Sequence, residues 1–197
     1  MNDAESLQRS LVLAGLDALR HLRGDATVRE IMGQATAPDE TGRERDPARV
    51  PIVGYLRYRD AVVNHVGDGF GPVAFQTGRT LVRNLRHKKV DQIRALIAQL
   101  GRAPSRLSVI GQAAVLAAKD GPGVVRAVMK GDALLVITIE ECPECLGLRR
   151  DAPFCFLNQG IITEFAARYL EARVRTQETA CMAIGASLCQ IEVTQRA

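Results

Sequence analysis

Between positions 155 and 189 the chain brings together three of its five cysteines, Cys155, Cys181 and Cys189, with Glu178 three residues ahead of the second. Thiolates with a carboxylate are donors that zinc accepts in tetrahedral array, at Zn–S distances of about 2.3 Å. Cys155 precedes a helical run, and an αββ unit brings it back to the point where Glu178 and Cys181 end one strand and Cys189 opens the next. On that last strand Cys189, Ile191 and Val193 share one face, with Gln190 and Glu192 opposite, so Cys189 is expected on the core side. A glutamate directed at the same region is costly unless paired or coordinated. That cost favours a metal over three buried thiols.

Composition narrows the remaining choices. With 197 residues, 47% of them hydrophobic, the chain supports a core of ordinary size and is not disordered throughout. The 26 basic against 22 acidic residues leave a net charge of +4, which suits an anionic small ligand and falls well short of a nucleic-acid-binding composition. There is no Trp and few aromatics, so a base-stacking platform is not expected. The opening residues are acidic rather than a basic, apolar signal, and no apolar run approaches the roughly 18 residues of a membrane span. A cytoplasmic protein is expected, in which cysteines serve as metal ligands or free thiols more readily than as disulfides.

Along the chain, Leu7, Leu11, Leu16, Leu19 and Leu22 stripe a helix over 4–23, closed by Gly24 and Asp25. The polar stretch from Gln34 to Arg49, with Pro38, Gly42 and Pro47, reads as a linker. It divides 1–49, an N-terminal helix and linker, from a domain over 50–197; the first helix is either an arm or dimer contact, or an ordinary helix on the same core. Helices are predicted over 55–66, 73–85, 88–100 and from Ser105 to Ala117. The glycines of Gly67-Asp68-Gly69-Phe70-Gly71-Pro72 follow a helix and lack the G-x-G-x-x-G spacing, so they mark a tight helix connection rather than a nucleotide loop. Beyond Gly123 the period changes. Val124 to Met129 and Ala133 to Ile139 form a hairpin around Lys130, Gly131 and Asp132.

Cys142-Pro143-Glu144-Cys145 has the spacing of half a zinc site or of a redox pair. Gly147, Arg149, Arg150 and Pro153 oppose the helix that a redox motif opens, and two thiols in a loop near the metal is the plain alternative. Asn158 is placed to cap a helix striped by Ile161, Ile162, Phe165, Ala166, Tyr169 and Leu170. Helices followed by antiparallel strands indicate an α+β fold, with helices packed on one face of an antiparallel sheet and a ligand crevice between the layers.

The run Pro153-Phe154-Cys155, Asn158-Gln159-Gly160 and Glu178-Thr179-Ala180-Cys181 through Gly185 to Cys189, with the glycine segment Gly67 to Gly78, resembles the 4-vinyl reductase domain family over roughly 60–195. That resemblance implies a ligand-binding fold shared with haem-based NO-signalling domains and trafficking-complex subunits. It also implies a structural zinc on Cys155, Glu178, Cys181 and Cys189. No ATPase or DNA-binding domain is read in the sequence, so a stand-alone member resembling the bacteriochlorophyll-pathway protein is expected: a tetrapyrrole carrier or chaperone, working with pathway enzymes and commonly dimeric. A vinyl reductase fed electrons by a partner, or a sensor or scaffold for a small aromatic or lipid, are the alternatives; no flavin, nucleotide or iron–sulfur motif supplies electrons within the chain. Phe70, Val73, Phe75 and Leu81 are expected to line the ligand pocket, with Arg83, Arg86 and Lys88 at its mouth for carboxylates and His65 or His87 as candidate ligands to a central metal.

Overall fold

The structure is a computed structural model, and it describes residues 3–35, 52–84, 95, 98, 105–118 and 123–196. Most of the helix predicted over 88–100, together with Arg86, His87, Lys88 and most of the predicted linker, lies outside these. Four helices come first: α1 Asp3–Arg23, α2 Asp25–Ala35, α3 Ile52–Val66 and α4 Phe70–Arg83. Helix α5 Arg106–Ala118 leads into strands β1 Val124–Lys130 and β2 Leu134–Glu140, followed by α6 Phe156–Leu170, β3 Val174–Ala180 and β4 Cys189–Gln195. Helix α2 was not expected. Its apolar residues Val28, Ile31 and Met32 make a stripe only one turn long, yet Val28 and Ile31 are buried. Gly24 at φ +84 makes the turn from α1 to α2 in a single residue.

The four strands form one antiparallel sheet in the order β1-β2-β4-β3. Its register puts Leu135 opposite Val193, Ile137 opposite Ile191 and Ile139 opposite Cys189, and all six of these side chains are buried. The outer face carries exposed Val124 and Val128 on β1. Helix α5 lies on β1 and β2, and α6 packs on β3. Val12 and Leu19 of α1 join the same buried cluster as Val62, Val73, Ile137 and Ile191. Among the described residues no helix is long and apolar enough to cross a membrane.

Helices α4 and α6 meet backbone to backbone. A Cβ at Gly78 would run into the Leu157 carbonyl, and one at Gly160 into the Phe75 carbonyl. Gly67–Gly69 is a 3-10 turn joining α3 to α4, with Gly67 at φ +53, as a helix connection requires. Helix α4 begins earlier than predicted, at Phe70, because Pro72 falls in the first turn, where no amide donor is missed. Arg79 and Arg83 reach across the α4–α6 contact to the Glu164 carboxylate, at 2.8 and 2.7 Å. Burial opposes the charge on Glu164, but hydrogen bonds from Arg83 and Arg79 prevail and hold its pKa below the usual value.

Because that pKa is depressed, the stabilisation from Glu164 is complete above the unfolded-state value of about 4.3 and is lost as pH falls through the lower folded-state value. Glu164→Gln is therefore expected to lower the urea midpoint at pH 6 and to lose less than the wild type on going from pH 5 to pH 3.

Candidate metal centre

Three segments of chain converge beside the end of β2. After Glu140 the backbone turns through Glu141 at φ +53 into Cys142–Cys145, a turn closed by Cys145 N–H and Leu146 N–H on the Cys142 carbonyl, both at 3.0 Å. Cys155 lies at the N-terminus of α6. Cys181 follows β3 just after a register irregularity between Glu178 and Ala180, and the Met182–Ile184 turn with Gly185 at φ +100 returns the chain to Cys189. The sequence pattern anticipated this hairpin.

All five cysteines are buried and free. Cys145 Sγ lies 3.4 Å from Cys155 Sγ, 3.5 Å from Cys181 Sγ and 3.5 Å from Cys189 Sγ; Cys142 Sγ lies 3.5 Å from Cys155 Sγ. Donor atoms of Cys145, Cys155, Glu178, Cys181 and Cys189 all fall within 4.8 Å of one another. Four thiolates about 2.3 Å from one ion stand about 3.8 Å apart, so these spacings fit a mononuclear tetrahedral site. Glu178 Oε2 accepts the Cys155 amide at 2.8 Å, whereas its Oε1 is buried without a hydrogen-bond partner. A buried carboxylate oxygen with no donor, beside several thiols, is a site short of positive charge. A zinc-type cation fits this donor set.

Crowded thiols divide their protons unequally. Hydrogen bonding with Cys142 is the main cause raising the pKa of both Cys145 and Cys155. The Cys155 hydrogen bond draws Cys181 down to about 5, and Cys142 draws Cys189 down further. Burial raises Glu178 to about 8, against the opposing hydrogen bonds from Cys155. A bound cation would let the raised thiols ionise as well.

Two buried polar side chains hold the Cys142–Cys145 turn in place. Arg59 on α3, 3% exposed, donates from one guanidinium nitrogen to the carbonyls of Pro143, Glu144 and Leu146 at 2.9, 3.1 and 2.9 Å, while Asp60 takes its other edge. Glu144 accepts the Leu157 amide at 2.9 Å, the Asn158 amide at 3.2 Å and the Asn158 side chain at 2.7 Å. The predicted Asn158 cap is thereby corrected. The helix begins at Phe156, and the carboxylate of Glu144, reaching in from the loop, occupies the positive end of α6. Neither Arg59 nor Glu144 is marked by local sequence, because each acts on a segment distant along the chain or on a helix it does not belong to. Cys145 did carry a signal, the Cys-x-x-Cys spacing, which alone does not say whether the pair meets the other cysteines.

Residues 135–195, which contain every one of these cysteines, match the model of the 4-vinyl reductase domain. This stretch, under a third of the chain, is similar to that family. In overall fold the chain is similar to H-NOX proteins. An Fe(II) unliganded variant from K. algicida matches with a TM-score of 0.66 and 8% identity, over 96% of this chain and 97% of that one. The S. oneidensis protein in its Fe(II)NO state matches at 0.60 and 12%, over 95% and 99%. A variant from T. Tengcongensis matches at 0.60 and 13%, over 96% and 98%. No curated protein gives a significant match. The helical layers and antiparallel sheet thus share the overall fold of the H-NOX proteins.

Away from the cysteine cluster, the described residues among those expected around a ligand pack against or bond to other parts of the chain. Phe70 stacks on Phe154 with ring centroids 4.4 Å apart; Val73 and Leu81 are buried in the helical core. Phe75 supplies the carbonyl that meets Gly160, and Arg83 binds Glu164. His65 faces Glu30 at 3.5 Å. A groove of about 380 Å³, open to solvent, lies between α5 and the β1–β2 hairpin, lined by Ser108, Gly111, Gln112, Val115, Met129 and Leu135 among others. Gly111 allows α5 to sit this close to the sheet, since a Cβ there would lie 2.9 Å from Leu135 and 3.0 Å from Ala127.

Arg59→Met should leave three loop carbonyls, the buried one of Glu144 among them, without their donor and cost about 2–4 kcal/mol in urea unfolding. Asp60→Asn, at a half-exposed partner, should cost less than about 1 kcal/mol. Equal losses for the two would show that the ion pair, rather than the carbonyl clamp, is what matters.

Proposed function

We propose that this chain is a small-molecule-binding protein in which the cysteine cluster is a structural zinc clasp and the ligand occupies the cavity beneath α5. The observation that carries the ligand site is the cavity itself: about 380 Å³, walled by Gly111, Val115, Met129 and Leu135, with Ser108 and Gln112 as its polar groups. A mostly apolar cavity with a few hydrogen-bonding groups has the character of a small-ligand pocket. Among the described residues none of its lining side chains is titratable, which supports holding a ligand over proton-transfer chemistry on it.

The ligand class proposed, following the family resemblance, is a tetrapyrrole intermediate of bacteriochlorophyll biosynthesis, carried between pathway enzymes rather than transformed. The volume lies toward the small end of ligand pockets, so a macrocycle would insert one pyrrole edge with its vinyl group against Met129 and Leu135 and leave its carboxylates outside. The H-NOX neighbours, described in Fe(II) states, support the fold as one that houses a ligand. Zinc is the metal proposed, on Cys155, Glu178, Cys181 and Cys189 as the family implies or on a set including Cys145. Cytoplasmic location and a homodimer covering the exposed Leu13 and Leu22 of α1 complete the proposal.

Titrating the zinc-loaded chain with a divinyl tetrapyrrole should give a saturable shift of the pigment's absorption, weakened at least about tenfold (about 1.4 kcal/mol) by Val115→Phe, which fills the cavity. Binding indifferent to that substitution would place the ligand elsewhere. Binding of phenol without the tetrapyrrole would favour the small-aromatic sensor.

Metal removal is the second test. The chain as isolated should contain a single zinc, and a chelator should lower its melting temperature reversibly, because the ion joins segments that the unfolded chain does not hold together.

A further inference from the structure

Five side chains, Cys145, Cys155, Glu178, Cys181 and Cys189, bring donor atoms within 4.8 Å of one another, where a tetrahedral ion takes four. The set implied by family resemblance leaves Cys145 out, but the geometry puts it in. Its sulfur lies 3.4 Å from Cys155, 3.5 Å from Cys181 and 3.5 Å from Cys189, meeting each of the other cysteines of that set at nearly a tetrahedral edge. Glu178 has one oxygen committed to the Cys155 amide at 2.8 Å, which fixes the backbone of a ligand; its other oxygen is the competing donor. For a borderline or soft ion, thiolate is preferred to carboxylate where both are in reach. Cys142 stands to one side, against Cys155 at 3.5 Å and weakly bonded by the Asn158 side chain at 3.9 Å.

Resting on the zinc-clasp reading, we propose that the ion in this chain is held by four thiolates, Cys145, Cys155, Cys181 and Cys189, with Glu178 as a positioning residue outside the coordination sphere and Cys142 as a fifth, uncoordinated thiol. The ligand class this selects is a soft or borderline divalent ion such as zinc or cadmium. The assignment changes what the clasp joins. With Cys145 in the set, the ion is bonded to the loop whose carbonyls Arg59 holds, so it ties helix α3 to the β3–β4 hairpin as well as to α6. Without Cys145 the loop is attached only through hydrogen bonds and packing.

X-ray absorption on the zinc-loaded full-length chain tests this directly. A first shell of four sulfurs is expected; three sulfurs and one oxygen would overturn the assignment while leaving the clasp intact, and failure of the wild type to take up zinc would overturn the clasp itself. Cobalt(II) substitution gives an independent readout. Cys145→Ser should weaken the thiolate-to-cobalt charge-transfer band by about one quarter, one sulfur of four. An unchanged band in that variant refutes the proposal. Amide exchange of residues 142–146 adds a measurement that needs no variant: chelation should speed it if Cys145 is a ligand, and unchanged exchange would count against that ligand.

Discussion

Five thiols and a carboxylate oxygen without a donor, gathered in a protein core, are the constraint from which the rest of this structure follows. Protonated, the thiols are poor hydrogen-bond partners and leave the Glu178 oxygen unmet; ionised, they repel one another in a medium that screens weakly. A divalent cation would ease both problems at once, because the thiolates that bind it would have their counter-charge at bonding distance and Glu178 would have it close by. The surrounding architecture is arranged to bring the donors there. The register of β2 against β4 places Cys189 beside Ile139, the irregularity after Glu178 swings Cys181 inward, and Glu144 holds the start of α6 with Cys155 beside it.

The same core depends on close approach elsewhere. Gly78 and Gly160 let α4 and α6 touch through their backbones. Gly111 brings α5 toward the sheet, but there neighbouring side chains leave a cavity. Small residues thus close one interface and leave the other partly open. The difference lies in what faces them: backbone opposite Gly78 and Gly160, and side chains of Leu135 and Ala127 opposite Gly111.

Much of this was legible in the sequence wherever a periodicity reported burial. Alternation along Cys189–Val193 assigns Cys189 to the core face, alternation along Val174–Glu178 points Glu178 toward the same region, and the helix-to-strand change of period yields the α+β layering. Helix α2 escaped because one turn of apolar residues is too short a pattern to stand out. Arg59 and Glu144 escaped for a different reason: their partners lie 85 and 13 residues away along the chain, and an arginine in a helix or a glutamate in a loop has no local mark of burial. Cys145 lay between these cases. Its motif was visible, but its place in the cluster depends on how the loop closes, and that closure is imposed by Arg59 from another helix.

Strand β2 joins the two functional regions. Leu135, near its beginning, lines the cavity, and its other end runs into the Cys142–Cys145 turn, a separation of about 20 Å at the rise of an extended strand. An ion at one end of a strand cannot touch a ligand at the other, so its influence must pass through the strand's rigidity. Arg59 holds the turn, and a bound metal would hold it further; fraying of β2 from that end would then be opposed, and local opening that deforms the cavity wall would require breaking the clasp first. On the proposed reading, the metal centre would serve ligand binding by holding the shape of a pocket it does not line, so that a cluster rich in reactive side chains would be structural and a plain apolar cavity would carry the recognition.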